Sequence, residues 1–213
     1  TGTQTVHFQI TKSLAHESIT IDPIDTYVYN GSAFTPEVVV KDNGTKLNKG
    51  TDYTVSYSNN TDAGTATVTV TGQGNYTGTA TAHFDIAKKQ INAVVNANVS
   101  PITKWYDGEN IALAHFKLED GSVVGNDDVQ IANAGSVQVT FNDPYVGEDK
   151  TVTIEKMELT GNDAGNYELI QPIGLTGSIT APRRTLTTTT SEAVPATLTK
   201  GGKTLDLKTL VTT

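Results

Sequence analysis

Four histidines, His7, His16, His83 and His115, are the residues of this chain best suited to general base chemistry, because imidazole titrates near neutral pH. A hydrolase would place one of them beside a nucleophile, or set two carboxylates across a cleft. The chain has no cysteine and no Gly-x-Ser-x-Gly elbow, so the familiar nucleophile arrangements are missing. His7 and His83 occupy the same place in two copies of one stretch, TGTQTVHFQI from Thr1 and TGTATAHFDI from Thr77, identical at seven of ten positions. In both copies the period-two pattern turns the imidazole to solvent. A side chain copied with its strand and aimed at water is expected to be structural, and no catalytic residue is assigned.

Hard cations such as Ca²⁺ need clustered oxygen ligands. GNDD at Gly125–Asp128, FNDPYVGED at Phe141–Asp149 and GNDAGN at Gly161–Asn166 offer oxygens, but none has the spaced acids and closing Glu of an EF-hand loop. Asn, Asp and Gly are also what plain turns use, so no metal and no cofactor are expected. Eight Tyr and one Trp supply aromatic faces that could stack on sugar rings. Trp105 is the candidate ligand-stacking residue. Aligning YVYNG with KWYDG sets it opposite Val28, so it is no platform common to both copies, and the apolar Val28 favours a buried framework role for Trp105 over an exposed one.

Fifteen basic against 23 acidic side chains give a net charge of −8, which repels phosphate backbones and anionic lipid. Nucleic acid is excluded as an expected partner. No apolar run of the length that spans a bilayer is present, so no membrane insertion by this segment is expected. Thr accounts for about one residue in six and no sustained helical spacing of apolar residues occurs, which together favour an all-β protein.

The elements that must position these residues come in repeats. YNG at Tyr29 and YDG at Tyr106 lie 77 residues apart, and each is followed by a β run opening on Gly, a Thr-Gly pair, Gly-Asn-Tyr ending at Tyr76 or Tyr167, and a closing apolar strand. In TATVTVT, Ala66, Val68 and Val70 alternate with threonines, the mark of a strand with one face in a core. The same period turns Tyr53, Val55 and Tyr57 inward, then Ala80, Ala82, Phe84 and Ile86, then Val137, Val139 and Phe141. After Ile154 the apolar phase slips by one residue before Met157 and Leu159, which predicts a β-bulge near Glu155 and Lys156. Residues 1–10 read as the last strand of a preceding repeat, with Val6, Phe8 and Ile10 inward. Residues 11–88 form module one, 89–181 module two, and 182–213 a connector and the start of a further, incomplete domain. The junction between the modules is expected to be tight. Tyr29, Tyr76, Tyr106 and Tyr167 are expected as framework residues in equivalent places.

These features resemble the immunoglobulin-like repeats of bacterial cell-surface and adhesin-like proteins. KWYDG at Lys104–Gly108, the run VGEDKTVTIEKMELTGNDAGNYEL and the closing GSIT are similar to the YDG repeat, and YNGSAFTPEVVV onward is similar to a related repeat of Gram-positive surface proteins. The resemblance implies tandem immunoglobulin-like β-sandwich modules arranged end to end, outside the cell, on its surface or wall. It carries no active site. It implies a non-enzymatic stalk or adhesive segment whose partners are neighbouring modules and a host glycan or matrix protein. The alternatives are a carbohydrate-binding module and a noncatalytic part of a larger extracellular enzyme. Cysteine-free sandwiches of such proteins are sometimes locked by a Lys to Asn isopeptide bond, for which Lys104, Lys150 and Lys156 are the candidate lysines. Long lysines reach water and a buried unpaired ammonium is costly, so no such bond is expected.

Overall fold

The computed structural model describes residue 4, residues 10–99 and 101–182, and the backbone of 197–200 and 203–206. The expected strand over 1–10 therefore lies outside the described residues, apart from two isolated positions. Thr1–Ala181 is one compact unit and Pro182–Thr213 a second. Within the second, Thr197–Lys200 and Lys203–Asp206 pair antiparallel; residues 183–196 of the expected connector lie outside the described residues. Among the described residues there is no α-helix, only one 3₁₀ turn at Ala164–Asn166, and the protein is all-β.

Module one contributes β1 (Lys12–Ser13), β2 (Ile19–Ile21), β3 (Tyr27–Val28), β4 (Val40–Asp42), β5 (Thr45–Lys46), β6 (Tyr53–Ser58), β7 (Gly64–Gly72), β8 (Tyr76–Thr77) and β9 (Thr79–Ala87). Its main sheet has the order β3-β9-β7-β6. β7 is central in that sheet, and its threonines leave Ala66, Val68 and Val70 fully buried, as the alternation requires. The β4–β5 hairpin turns on Asn43 and Gly44, both at positive φ. Asn-Gly is the pair best suited to that two-residue turn. The buried Tyr53 hydroxyl donates to the Val38 carbonyl at 2.8 Å, so a large ring enters the core without an orphaned polar atom.

Module two contributes β10 (Lys89–Val95), β11 (Thr103–Trp105), β12 (Ile111–Ala114), β13 (Phe116–Leu118), β14 (Gln130–Ile131), β15 (Val137–Phe141), β16 (Gly147–Ile154), β17 (Leu159–Thr160), β18 (Tyr167–Ile170) and β19 (Thr176–Thr180). The main sheet runs β11-β19-β16-β15-β12, with β13-β10-β18 and β14-β17 as separate sheets. The expected bulge near Glu155 is corrected. β16 ends at Ile154, the chain leaves the ladder, and β17 joins β14 instead. A slip in apolar phase marks either a bulge or a change of sheet, and here the strand changes sheets. The register irregularity falls earlier, between Gly147 and Lys150.

Two parallel pairings recur. β3 runs parallel to β9 with Val28 beside Ala87, and β11 runs parallel to β19 with Trp105 beside Thr180. Parallel partners finish at the same end, so the YNG and YDG loops lie where the chain leaves each module. β1 is parallel to β8 with Lys12 beside Tyr76, and β10 is parallel to β18 with Lys89 beside Tyr167. Each Gly-Asn-Tyr turn therefore lies where the chain enters its module, and Tyr76 and Tyr167 hold equivalent places. One residue separates β9 from β10. That brings the exit loop of module one against the entry turn of module two.

The core follows the same logic. The first buried cluster holds Leu14, Val38, Val40, Tyr53, Val68, Val70, Phe84 and Ile86 of module one, and also Ile91, Val129 and Tyr167 of module two. The second gathers Phe116, Val139, Phe141, Val152, Met157 and Ile179. Leu118 and Leu169 pack against both clusters. The modules share apolar packing across the junction.

Candidate functional site

Part-buried polar groups from both modules converge on the buried Asn166 and two tyrosines at that junction. Tyr29 donates its hydroxyl to Asp127 Oδ2 at 2.8 Å, and Tyr167 donates to the same oxygen at 2.5 Å. Their rings meet edge to face with centroids 5.5 Å apart, a favoured aromatic geometry. The Tyr167 hydroxyl also accepts from the Val124 backbone N–H at 2.9 Å. Asn166 is buried, and its side chain grips the opposite module twice: Oδ1 accepts from the Ala63 N–H at 2.8 Å, and Nδ2 donates to Asp62 Oδ1 at 3.1 Å. Gly31 of the YNG loop closes on Val124, where an added Cβ would lie 2.8 Å from Val124 Cγ1. A single carboxylate receives a hydroxyl from each module, and hydrogen bonds to a charged acceptor are the stronger kind.

Burial raises the Tyr29 phenol far above its ordinary range, with the Asp127 hydrogen bond adding to it; the same two causes push Tyr167 up to about 12. Both tyrosines are therefore protonated donors at neutral pH. A folded pKa above the unfolded value near 10 stabilises the fold fully below pH 10, and that contribution is lost as pH climbs through the folded value. Melting temperature is expected to stay level to about pH 9 and to fall steeply between about pH 10 and 12. Tyr167→Phe should shallow that slope by about one proton. Identical alkaline slopes in both proteins would contradict this account.

The framework expectation divides between the four tyrosines. Tyr29, 5% exposed, and Tyr167 are buried at the junction, and the half-buried Tyr76 donates to Asp42 at 3.2 Å. Tyr106 departs from the expectation, being 42% exposed. Trp105 also overturns its expected burial, at 62% exposed. The inference from Val28 fails because Val28 is itself 58% exposed; an apolar residue at an edge-strand position does not imply a core position. Trp105 emission is expected to be red-shifted and readily quenched by acrylamide, and Trp105→Ala to change stability by less than about 0.5 kcal/mol. A blue-shifted, protected emission would show the ring packed.

Lys104 and Lys150 do not snorkel to water as expected, because each has a partner that makes burial affordable. The Lys104 side chain is 9% exposed, and its ammonium donates to Asp107 Oδ1 and to the Glu109 and Ile111 carbonyls. It pins the YDG loop. Lys150, equally buried, donates to Asp143, while Lys156 is exposed beside Glu158. The lysine hydrogen bonds hold Asp107 and Asp143 below the usual carboxylate range, which keeps them as anionic ion-pair partners.

The acidic turns serve each other and the junction. The Asp128 N–H donates to Asp163 Oδ2 at 2.8 Å, and Asn162 N–H returns a bond to Asp128 Oδ2 at 3.1 Å. Among the described residues no three His, Asp or Glu side chains gather as a metal site would need. Asp127, Asn166, Asp62 and Gly31 were missed as functional residues. Gly31 and Asn166 carried one signal, the repeated order of YxG and Gly-Asn-Tyr, which does not say that the two motifs meet across modules; Asp62 and Asp127 lie in neither motif. His83 is solvent-exposed on β9, as the alternation requires, and the Thr67 hydroxyl lies 3.4 Å from its Nδ1.

Residues 87–174 match the YDG domain family, which supports a YDG-type repeat over that stretch. No curated protein and no solved structure matches the chain.

Proposed function

We propose, with the YDG-type repeat at residues 87–174 as premise, that the chain is a non-enzymatic structural segment. It serves as a stalk or adhesive spacer of a bacterial surface or secreted repeat protein, outside the cell, with immunoglobulin-like β-sandwich modules set end to end. The observation that carries this reading is the locked junction. Neighbouring domains move relative to one another unless their interface is large and apolar, and here a one-residue link, a shared core and the Asp127 and Asn166 hydrogen bonds oppose such motion. A spacer that must hold a distal binding region away from a wall needs that resistance.

The cysteine-free chain allows clean spin-label pairs at Thr65→Cys and Thr153→Cys, both exposed strand positions in different modules. A narrow distance distribution is expected, broadened by Asp127→Ala. A broad distribution in the otherwise unchanged protein would remove the stalk reading. The exposure of Trp105 favours a second reading, a carbohydrate-binding face. Saturable quenching of its emission by one oligosaccharide, lost in Trp105→Ala, is the result that would establish it.

A further inference from the structure

We infer that the exit end of module two, built from Tyr106, Gly108, Tyr145 and Val146, is a docking face for another YDG-type module, one that presents a carboxylate where Asp127 stands and an asparagine where Asn166 stands. The inference rests on the stalk reading and extends it to a specific surface and partner.

The register supplies the correspondence. Gly64 pairs with Ile86 on β9, and Gly147 pairs with Ile179 on β19, so the loop before Gly64 and the loop before Gly147 occupy the same place. Val28 beside Ala87 matches Trp105 beside Thr180, and the Tyr29 and Tyr106 N–H groups donate to those same two carbonyls. Position by position, groups at the exit end of module one are engaged by module two, and their counterparts in module two are exposed. Tyr29 is buried against Asp127 and Tyr106 is exposed. Gly31 meets Val124, whereas an added Cβ on Gly108 would meet nothing within 4 Å. Ala63 and Asp62 are held by Asn166, while their counterparts Val146 and Tyr145 are exposed.

At two of these positions the open end is the more apolar. Asp62 is replaced by Tyr145 and Ala63 by Val146, and large apolar groups gathered at one exposed place mark an interaction surface. A second copy of this chain is a poor occupant, because its Asp127 and Tyr167 are already engaged by its own Tyr29. A YDG-type module with that entry surface unoccupied supplies the complement: a carboxylate for the Tyr106 hydroxyl and a small gap at Gly108 for its Val124 counterpart. Trp105 stands beside this face, as Val28 stands exposed beside the occupied one.

The test uses the full chain with residues 88–180 duplicated in tandem after Thr180, which repeats the native crossing from Ala87 to Lys88. Tyr106→Ala in the first copy should lower the melting temperature by about 5 °C or more. Asp127→Asn in the second copy should be non-additive with it, as for residues in contact, and Val146→Asp should act in the same direction. In the original chain Tyr106→Ala should be silent. Equal, negligible effects of Tyr106→Ala and Val146→Asp in the duplicated chain would overturn the inference, as would saturable oligosaccharide binding lost in Tyr106→Ala of the original chain. If the Thr65 to Thr153 distance stays narrow while the duplicated junction shows no coupling, only this inference fails. A broad Thr65 to Thr153 distance removes the stalk reading itself.

Discussion

Tyr167→Ala is expected to destabilise the 1–181 unit by about 3 to 5 kcal/mol, the range for deleting a large buried aromatic side chain. Three losses combine there. The ring leaves a cavity in the first core cluster and against Tyr29, the Val124 N–H loses its acceptor, and Asp127 loses one of its two hydroxyl donors. A part-buried donor left without a partner adds its own desolvation cost to the lost bond. For a unit of this length the melting temperature should fall by about 10 °C or more. Tyr167→Phe keeps the ring and should cost about 1 to 2 kcal/mol. Calorimetry on both variants separates the packing from the hydrogen bonds, and a Tyr167→Ala shift of only about 2 °C would mean that the junction contributes little to the fold.

Gly161→Ala should be as damaging, although it adds a single methyl group. Gly161 sits at φ +115, and a Cβ there would lie 2.1 Å from the Asp128 carbonyl oxygen and 2.7 Å from its carbon. Backbone cannot swing aside as a flexible side chain can. That carbonyl also accepts from the Asp163 N–H at 3.1 Å, and the Asp128 N–H donates to Asp163 Oδ2, so the two turns are tied at the point of closest approach. Forcing them apart displaces Asn166 and Tyr167, which follow in the same turn. The strained conformation and the clash together should cost about 3 kcal/mol or more. Gly108→Ala is the comparison: φ is +95 but the space is open, so only the conformational penalty of about 1 to 2 kcal/mol applies. If the two variants melt together, the contact between Gly161 and Asp128 is not a constraint on the fold.

The strands were legible in the sequence because a pleated strand reverses its side chains at every residue. That period assigned Ala66, Val68, Val70, Phe84, Ile86, Val139 and Phe141 to the core, where the structure places them. Turn chemistry is local for a similar reason, since Asn43 and Gly44 adopt positive φ at little cost. The internal repeat placed Tyr76 and Tyr167 in equivalent positions. What local pattern could not supply is the identity of the neighbour. Tyr29 and Tyr106 stand in the same motif and make the same backbone hydrogen bond, yet one is buried and the other exposed, because burial belongs to whatever lies beyond the end of the sheet. Asp127 read as one more turn residue until the fold brought it to Tyr29, 98 positions away in sequence. Trp105 was misplaced because an apolar counterpart, Val28, does not say whether its face of the sheet is covered. Sequence by itself determined the strands, the turns and the repeat, since each arises from contacts between near neighbours or between adjacent strands. The tertiary structure alone decided the junction and the open end, since both depend on surfaces that meet only after the modules have folded.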